Sequence, residues 1–249
     1  MLSAGVLAWI GAVFLTAGFV KGVVGMGLPT VAMGLLAVTM PPAQAAALLL
    51  IPSLVTNLWQ LLAGPSFGGL CKRLWTMTAG IVLGTVAGAG LLTGTHTGVA
   101  SAGLGAALVL YALVGLAKAG FITPVHHEVW ASPLAGVATG LVTGVTGVFV
   151  IPPVPYLQSL RLDKEDLIQA LGLSFTVSTA ALAIGLFRTC ALASPTAQLA
   201  GSILALAPAL AGMFAGQALR QKMSVETFRK MFFVGMLALG VYLVGEAMR

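Results

Sequence analysis

Long apolar runs alternate with short polar connections along this chain. About 20 apolar residues cross a bilayer as a helix. Runs at 2–20, 43–63, 74–92 and 99–117 predict four such helices, and runs at 130–142, 167–187, 197–219 and 231–247 predict four more. A shorter apolar piece follows the first run of each set, at 28–40 and at 148–160. The longest polar connection, 118–128, divides the two sets and predicts repeats over 1–120 and 129–249 within one membrane domain. The remaining connections are brief and basic: Lys72-Arg73, the turn from Arg161 to Asp166, and 220–230. Asp163 and Ser224 are candidate N-caps for the helices that follow them.

Between the first run and the short piece of each set lies a repeated motif. Gly18, Lys21, Gly22, Gly25, Gly27 and Pro29 recur 122 residues later as Gly140, Thr143, Gly144, Gly147, Phe149 and the prolines from Pro152 on. Both copies share the frame G-x-x-x-G-x-x-G. Apolar sequence so rich in Gly and Pro is a poor continuous helix, and irregular backbone at membrane depth is tolerated only where protein or a water-filled cavity surrounds it. Two interruptions at matching places in two halves point to a transporter's binding site.

Composition agrees. Of 249 residues, 59% are hydrophobic and only 7% charged, with a mean hydropathy of +1.05, against about 25% charged in soluble domains. The expectation is an all-α polytopic protein in a lipid bilayer, without a soluble domain. The run at 2–20 has no basic flank and reads as a membrane helix, not a signal peptide. The net charge of +6 sits mostly in short loops, where it is a topology signal and not the mark of a nucleic-acid partner. Cys71 and Cys190 make no metal spacing, His96, His126 and His127 fall in loops, and there is no Walker motif. We therefore expect no cofactor, no metal and no catalytic residue. A membrane-embedded enzyme would need convergent acid, base or metal groups within the spans, and the sequence offers none.

The loops also count the passes. If each motif is the tip of a hairpin that returns to its own face, the loop cations at 72, 73, 118, 161, 164, 220, 222, 229 and 230 share one side. Arg188 and Arg249 then take the other. If each motif segment instead crosses once, the loop charges divide almost evenly. The positive-inside bias favours hairpins, with the basic side in the cytoplasm. A hairpin plus three spans is an odd number of crossings, so the second half is inverted relative to the first. The two tips are then expected to meet near the midplane.

Candidate site residues follow. Lys21 is the only basic residue deep in apolar sequence, at a cost of at least ~2.5 kcal/mol, and its alternative is to snorkel to the interface. Gly22, Gly25, Gly27, Gly144 and Gly147 would expose backbone N–H donors to an anion. Thr143 and Thr146 add hydroxyls. Asn57, with Gln60 a second amide in its span, and, in the equivalent span, Ser174 and Ser178 would line a neighbouring wall, with Gln44 and Gln169 ranked lower. Gly84/Gly88 and Gly212/Gly216 read as close helix packing.

With these motifs in view, residues 18–29 and 140–155, the two later glycine pairs and the stretch from Val150 to Gln158 resemble the TauE/SafE (sulfite exporter) family over essentially the whole chain. Phe149 departs from it, standing where the family often keeps a glycine, as the first copy does at Gly27. The resemblance implies a secondary transporter and exporter of a small sulfur-containing oxyanion, of the sulfite or organosulfonate class, in the inner membrane. Alternating access would come from one repeat rocking against the other. An anion channel, a membrane-embedded enzyme and a membrane subunit serving a soluble partner are the rival readings. Proton coupling, substrate identity and oligomeric state stay open at this point.

Overall fold

The computed structural model describes residues 4–93, 97–117, 122–188, 195–220 and 225–248. His96, Lys118, Cys190, Lys222, Ser224 and Arg249 lie outside them. Among the described residues are ten α-helices: α1 (Ala4–Val24), α2 (Leu28–Leu36), α3 (Pro42–Leu62), α4 (Phe67–Thr93), α5 (Thr97–Ala117), α6 (Glu128–Thr146), α7 (Pro153–Ser159), α8 (Lys164–Arg188), α9 (Pro195–Arg220) and α10 (Val225–Ala247). All but α2 and α7 are long and apolar enough to cross a membrane. The all-α polytopic expectation holds.

The two short helices are the return limbs of hairpins. α1 ends at Gly25 and Gly27, whose φ of 85° and 104° lies in the left-handed region that glycine enters without strain. Pro29 then sits in the first turn of α2, where its missing N–H has no helical partner to lose. α6 ends the same way at Gly147, with φ 70°, and prolines open α7. Each return comes back toward the start of its own hairpin. Trp9 Nε1 donates to Thr39 Oγ1 at 3.1 Å, and Thr123 N donates to Ser159 O at 3.1 Å.

One local expectation fails. The helices do not break at the first glycines of the frame: α1 runs unbroken through Gly18 and Gly22, and α6 through Gly140 and Gly144. These glycines let backbones touch. A methyl at Gly18 or Gly22 would overlap the carbonyls of Ala209 or Met213 on α9, and one at Gly144 would lie 2.6 Å from the Thr85 carbonyl on α4. Gly212 and Gly216 face α1 in return, and Gly80, Gly84 and Gly88 face α6. The later glycine pairs are therefore the other halves of the same two interfaces. Lys72 and Arg73, expected in a loop, lie within the first turns of α4.

The partnership is an exchange: α1 of the first half packs on α9 of the second, and α6 of the second packs on α4 of the first. Rising residue numbers match rising numbers in both pairs, so both are parallel. α5 and α10 run antiparallel, Gly105 meeting Val244 and Gly115 meeting Phe233. The end of α3 meets the start of α8. Gln169 Nε2 donates to Leu61 O at 2.7 Å and Gly64 O at 2.8 Å, while Ser66 N donates to Gln169 Oε1 at 2.8 Å. One buried amide thus satisfies the carbonyls that a helix end leaves open.

α3 carries Pro52 in its interior. Proline has no N–H, so the carbonyl four residues back, on Leu48, loses its helical donor. Ser202 of α9 replaces it: its Oγ donates to Leu48 O at 2.8 Å and accepts from Ile51 N at 3.1 Å.

Candidate anion site

Lys21 sits one turn before the first tip and is 5% exposed. A lysine so deep must find acceptors or water. Its Nζ donates to Thr56 Oγ1 at 3.2 Å and to Asn57 Oδ1, both on α3. Thr56 can accept because its own proton goes to Pro52 O at 2.7 Å. These two partners are neutral, so the cationic head is held but not neutralised by them. The bond to Lys21 turns the Asn57 carbonyl toward α1, and leaves its amide Nδ2 buried with no acceptor.

Lys21 borders a cavity of about 640 Å³. The tip of α1 contributes Gly22 and Gly25, and α3 contributes Thr56, Trp59 and Gln60. The first turn of α8 adds Lys164 and Glu165, and the last stretch of α9 adds Met213, Gln217 and Arg220. Seven residues of helix separate Met213 from Arg220, about 10 Å of rise. Lys21 therefore lies inward, and Lys164, Glu165 and Arg220 stand toward the end of the bundle. Three cations and one carboxylate line this wall, which suits an anionic guest.

That end of the bundle collects the basic residues. Arg73 grips Glu128 at the start of α6 through Nε–Oε2 at 2.9 Å and Nη2–Oε1 at 2.6 Å. Arg229 Nη2 reaches Gly115 O, near the end of α5, at 3.4 Å. Arg188, closing α8, lies at the opposite end.

The candidates divide into two groups. Lys21, Gly22 and Gly25 come together at the cavity, and Asn57 lies behind it, bonded to Lys21. Gly27 is adjacent but turned toward Phe232 and Val20. Thr143, Gly144, Thr146, Gly147, Ser174 and Ser178 belong to the second half of the bundle. There Thr143 Oγ1 donates to Thr139 O and Thr146 Oγ1 to Val142 O, each at 2.7 Å, the back-bonding common for threonine in membrane helices. Gly147 packs on Met33 and Ala46. Phe149 is fully buried against Phe175, with ring centroids 5.5 Å apart, and fills the space beside the second tip. The tips do not meet: Gly27 lies beside the start of α10, Gly147 beside the start of α3. A full-length α1 carries its tip past the middle of the bundle, and α6 does the same from the other side.

Thr56, Lys164 and Arg220 also border the cavity and are not among the residues the sequence pattern marks for a site. A signal for Thr56 existed: Ser53, Thr56, Asn57 and Gln60 recur every three to four residues on one face of α3. Nothing local links Lys164 or Arg220 to Lys21, since only the packing of α8 and α9 against α1 and α3 brings them to one wall.

The family model for sulfite exporter TauE/SafE matches residues 10–243 of the chain. No curated protein and no solved structure matches it.

Proposed function

The chain belongs to the sulfite exporter TauE/SafE family, and from that premise we propose that it is a secondary transporter of a small sulfur-containing oxyanion, with Lys21 as the charge that receives it. One observation carries this reading. A buried lysine, hydrogen-bonded to Thr56 and Asn57, borders a cavity whose outer wall is cationic. The anion enters past Lys164 and Arg220 and takes its charge partner at Lys21. Asn57 is fully buried behind that wall and acts on the site through its bond to Lys21. The tip lines the same wall at Gly25, whose own N–H closes the last turn of α1 on Lys21 O at 2.8 Å.

We further read the two halves as inverted repeats. The support is directional: α3 and its counterpart α8 meet end to start, α5 and its counterpart α10 run antiparallel, and the two hairpins return to opposite ends of the bundle. By the positive-inside bias the cavity opens to the cytoplasm. That orientation suits export across the inner membrane by alternating access, and export direction and substrate class both rest on the family.

The test is sulfite flux in proteoliposomes, wild type beside Lys21→Gln. The expected result is saturable flux and counterflow in wild type and at least a tenfold loss in the variant, as removal of one charged hydrogen bond predicts. Equal flux in both overturns the role of Lys21. Wild-type flux without counterflow overturns the carrier reading in favour of a channel.

A further inference from the structure

The residues around Lys21 have counterparts in the second half. The repeat offset of 122 residues carries Lys21 to Thr143, Gly22 to Gly144, Pro52 to Ser174 and Thr56 to Ser178. The paired glycines carry α9 back onto α4, Gly212 to Gly84 and Gly216 to Gly88, so Met213 maps to Thr85. Packing supports the equivalence atom by atom. A methyl on Gly22 would strike the Met213 carbonyl, and one on Gly144 would lie 2.6 Å from the Thr85 carbonyl.

At these mapped positions the chemistry changes. The lysine is replaced by Thr143, whose hydroxyl bonds back to its own helix. On the helices of this half lie three hydroxyls with no partner: Thr85 Oγ1 on α4 and Ser174 and Ser178 Oγ on α8, each residue at most 2% exposed. α4 packs on both α6 and α8. Gly185 of α8 lies against Ala89 of α4, one turn beyond Thr85. Buried hydroxyls are satisfied in nearly all folded proteins, so three orphans on two touching helices need an explanation.

We propose that Thr85, Ser174 and Ser178 form the anion's second station, which opens toward the face opposite the basic one when the first cavity closes. This rests on the transport reading above. The station donates hydrogen bonds but carries no charge, so it holds an oxyanion more weakly than Lys21 does. A strong station on the basic side and a weak one on the other favour release, which gives the two unlike halves a physical reason.

The experiment separates binding from turnover. Thr85→Val/Ser174→Ala/Ser178→Ala is reconstituted beside wild type, with sulfite as the probe. Sulfite binding from the basic face should stay within about threefold, while flux falls at least tenfold, the scale of one lost hydrogen bond to a charge. Unchanged flux overturns the station, and so does a matching loss of binding, which would assign these hydroxyls to the first cavity or to the fold.

A second measurement needs neither sulfite nor the triple variant. Ser178→Cys, with Cys71 and Cys190 replaced by alanine, is treated with a small membrane-impermeant thiol reagent from each face. Labelling from the face opposite the basic one supports the station. Labelling from neither face, or from the basic face alone, overturns it. Because this readout does not depend on substrate, a protein that moves some other anion fails the sulfite assay and still reports on the station.

Discussion

Ser202 should be indispensable only while Pro52 is present. Pro52 strips Leu48 O of its helical donor, and Ser202 is the group that answers it, 2.8 Å away, while also accepting from Ile51 N at 3.1 Å. Ser202→Ala removes both bonds and leaves a carbonyl unsatisfied in an apolar surround. An unsatisfied buried acceptor costs ~1–3 kcal/mol, so the expected loss is about 2 kcal/mol, well above the ~0.6 kcal/mol average for interhelical hydrogen bonds in membranes. Pro52→Ala restores an N–H at position 52 that can bond Leu48 O within α3. In that background Ser202→Ala should cost under ~1 kcal/mol, giving a coupling of at least ~1 kcal/mol between the two positions. Reversible unfolding of the four proteins in detergent, or steric trapping in bicelles, measures the cycle. If the two substitutions add within ~0.5 kcal/mol, Ser202 is not repairing the proline and the reasoning is wrong. The site should also respond: Thr56 donates to Pro52 O and both Thr56 and Asn57 hold Lys21, so Pro52→Ala should weaken sulfite uptake even where stability is regained.

Three further outcomes follow from the geometry. Asn57→Asp sets a carboxylate where Lys21 now has a neutral carbonyl; the protein should fold as well as wild type yet lose sulfite uptake at least tenfold, and unimpaired uptake in flux assays would remove Lys21 from the site. Gly18→Ala must push α1 away from the Ala209 backbone and should destabilise by ~1–3 kcal/mol, whereas Gly25→Ala meets open space and carries only the ~1–2 kcal/mol of a left-handed backbone; thermal unfolding of each variant with and without sulfite distinguishes packing damage from loss at the cavity rim. With the two native cysteines replaced, Ser66→Cys and Arg188→Cys should label from opposite faces of oriented vesicles, and same-face labelling would contradict the hairpin topology.

Much of this architecture was legible in the chain, because bilayer thickness sets run length and loop cations set sidedness. The eight long apolar runs, the two short return pieces and an interruption at each Gly- and Pro-rich tip all follow from local rules. Lys21 stood out because a lone cation in apolar sequence is costly. What escaped has one cause: it depends on which helix lies next to which. Gly18 and Gly22 read as helix breakers until Ala209 and Met213 of α9 lie against them. Gln169 looked like a minor amide near a span start until the open end of α3 arrives above it. Ser202 has no meaning without the proline on another helix. The tips were expected to meet because a symmetric hairpin picture ignores that α1 and α6 are each nearly full spans.

The exchanged pairing of α1 with α9 and α6 with α4 has a consequence for how the protein is made. Each glycine face is complete only against a helix of the other half, so neither half can close its own interfaces. α1 is made well before α9, 191 residues separating Gly18 from Ala209 and Gly22 from Met213. At ~5–20 residues per second the glycine face of α1, with Lys21 beside it, stands open for on the order of 10–40 s. Lipid or the insertion machinery must shield that face during the wait, and α1 is inserted long before it is packed.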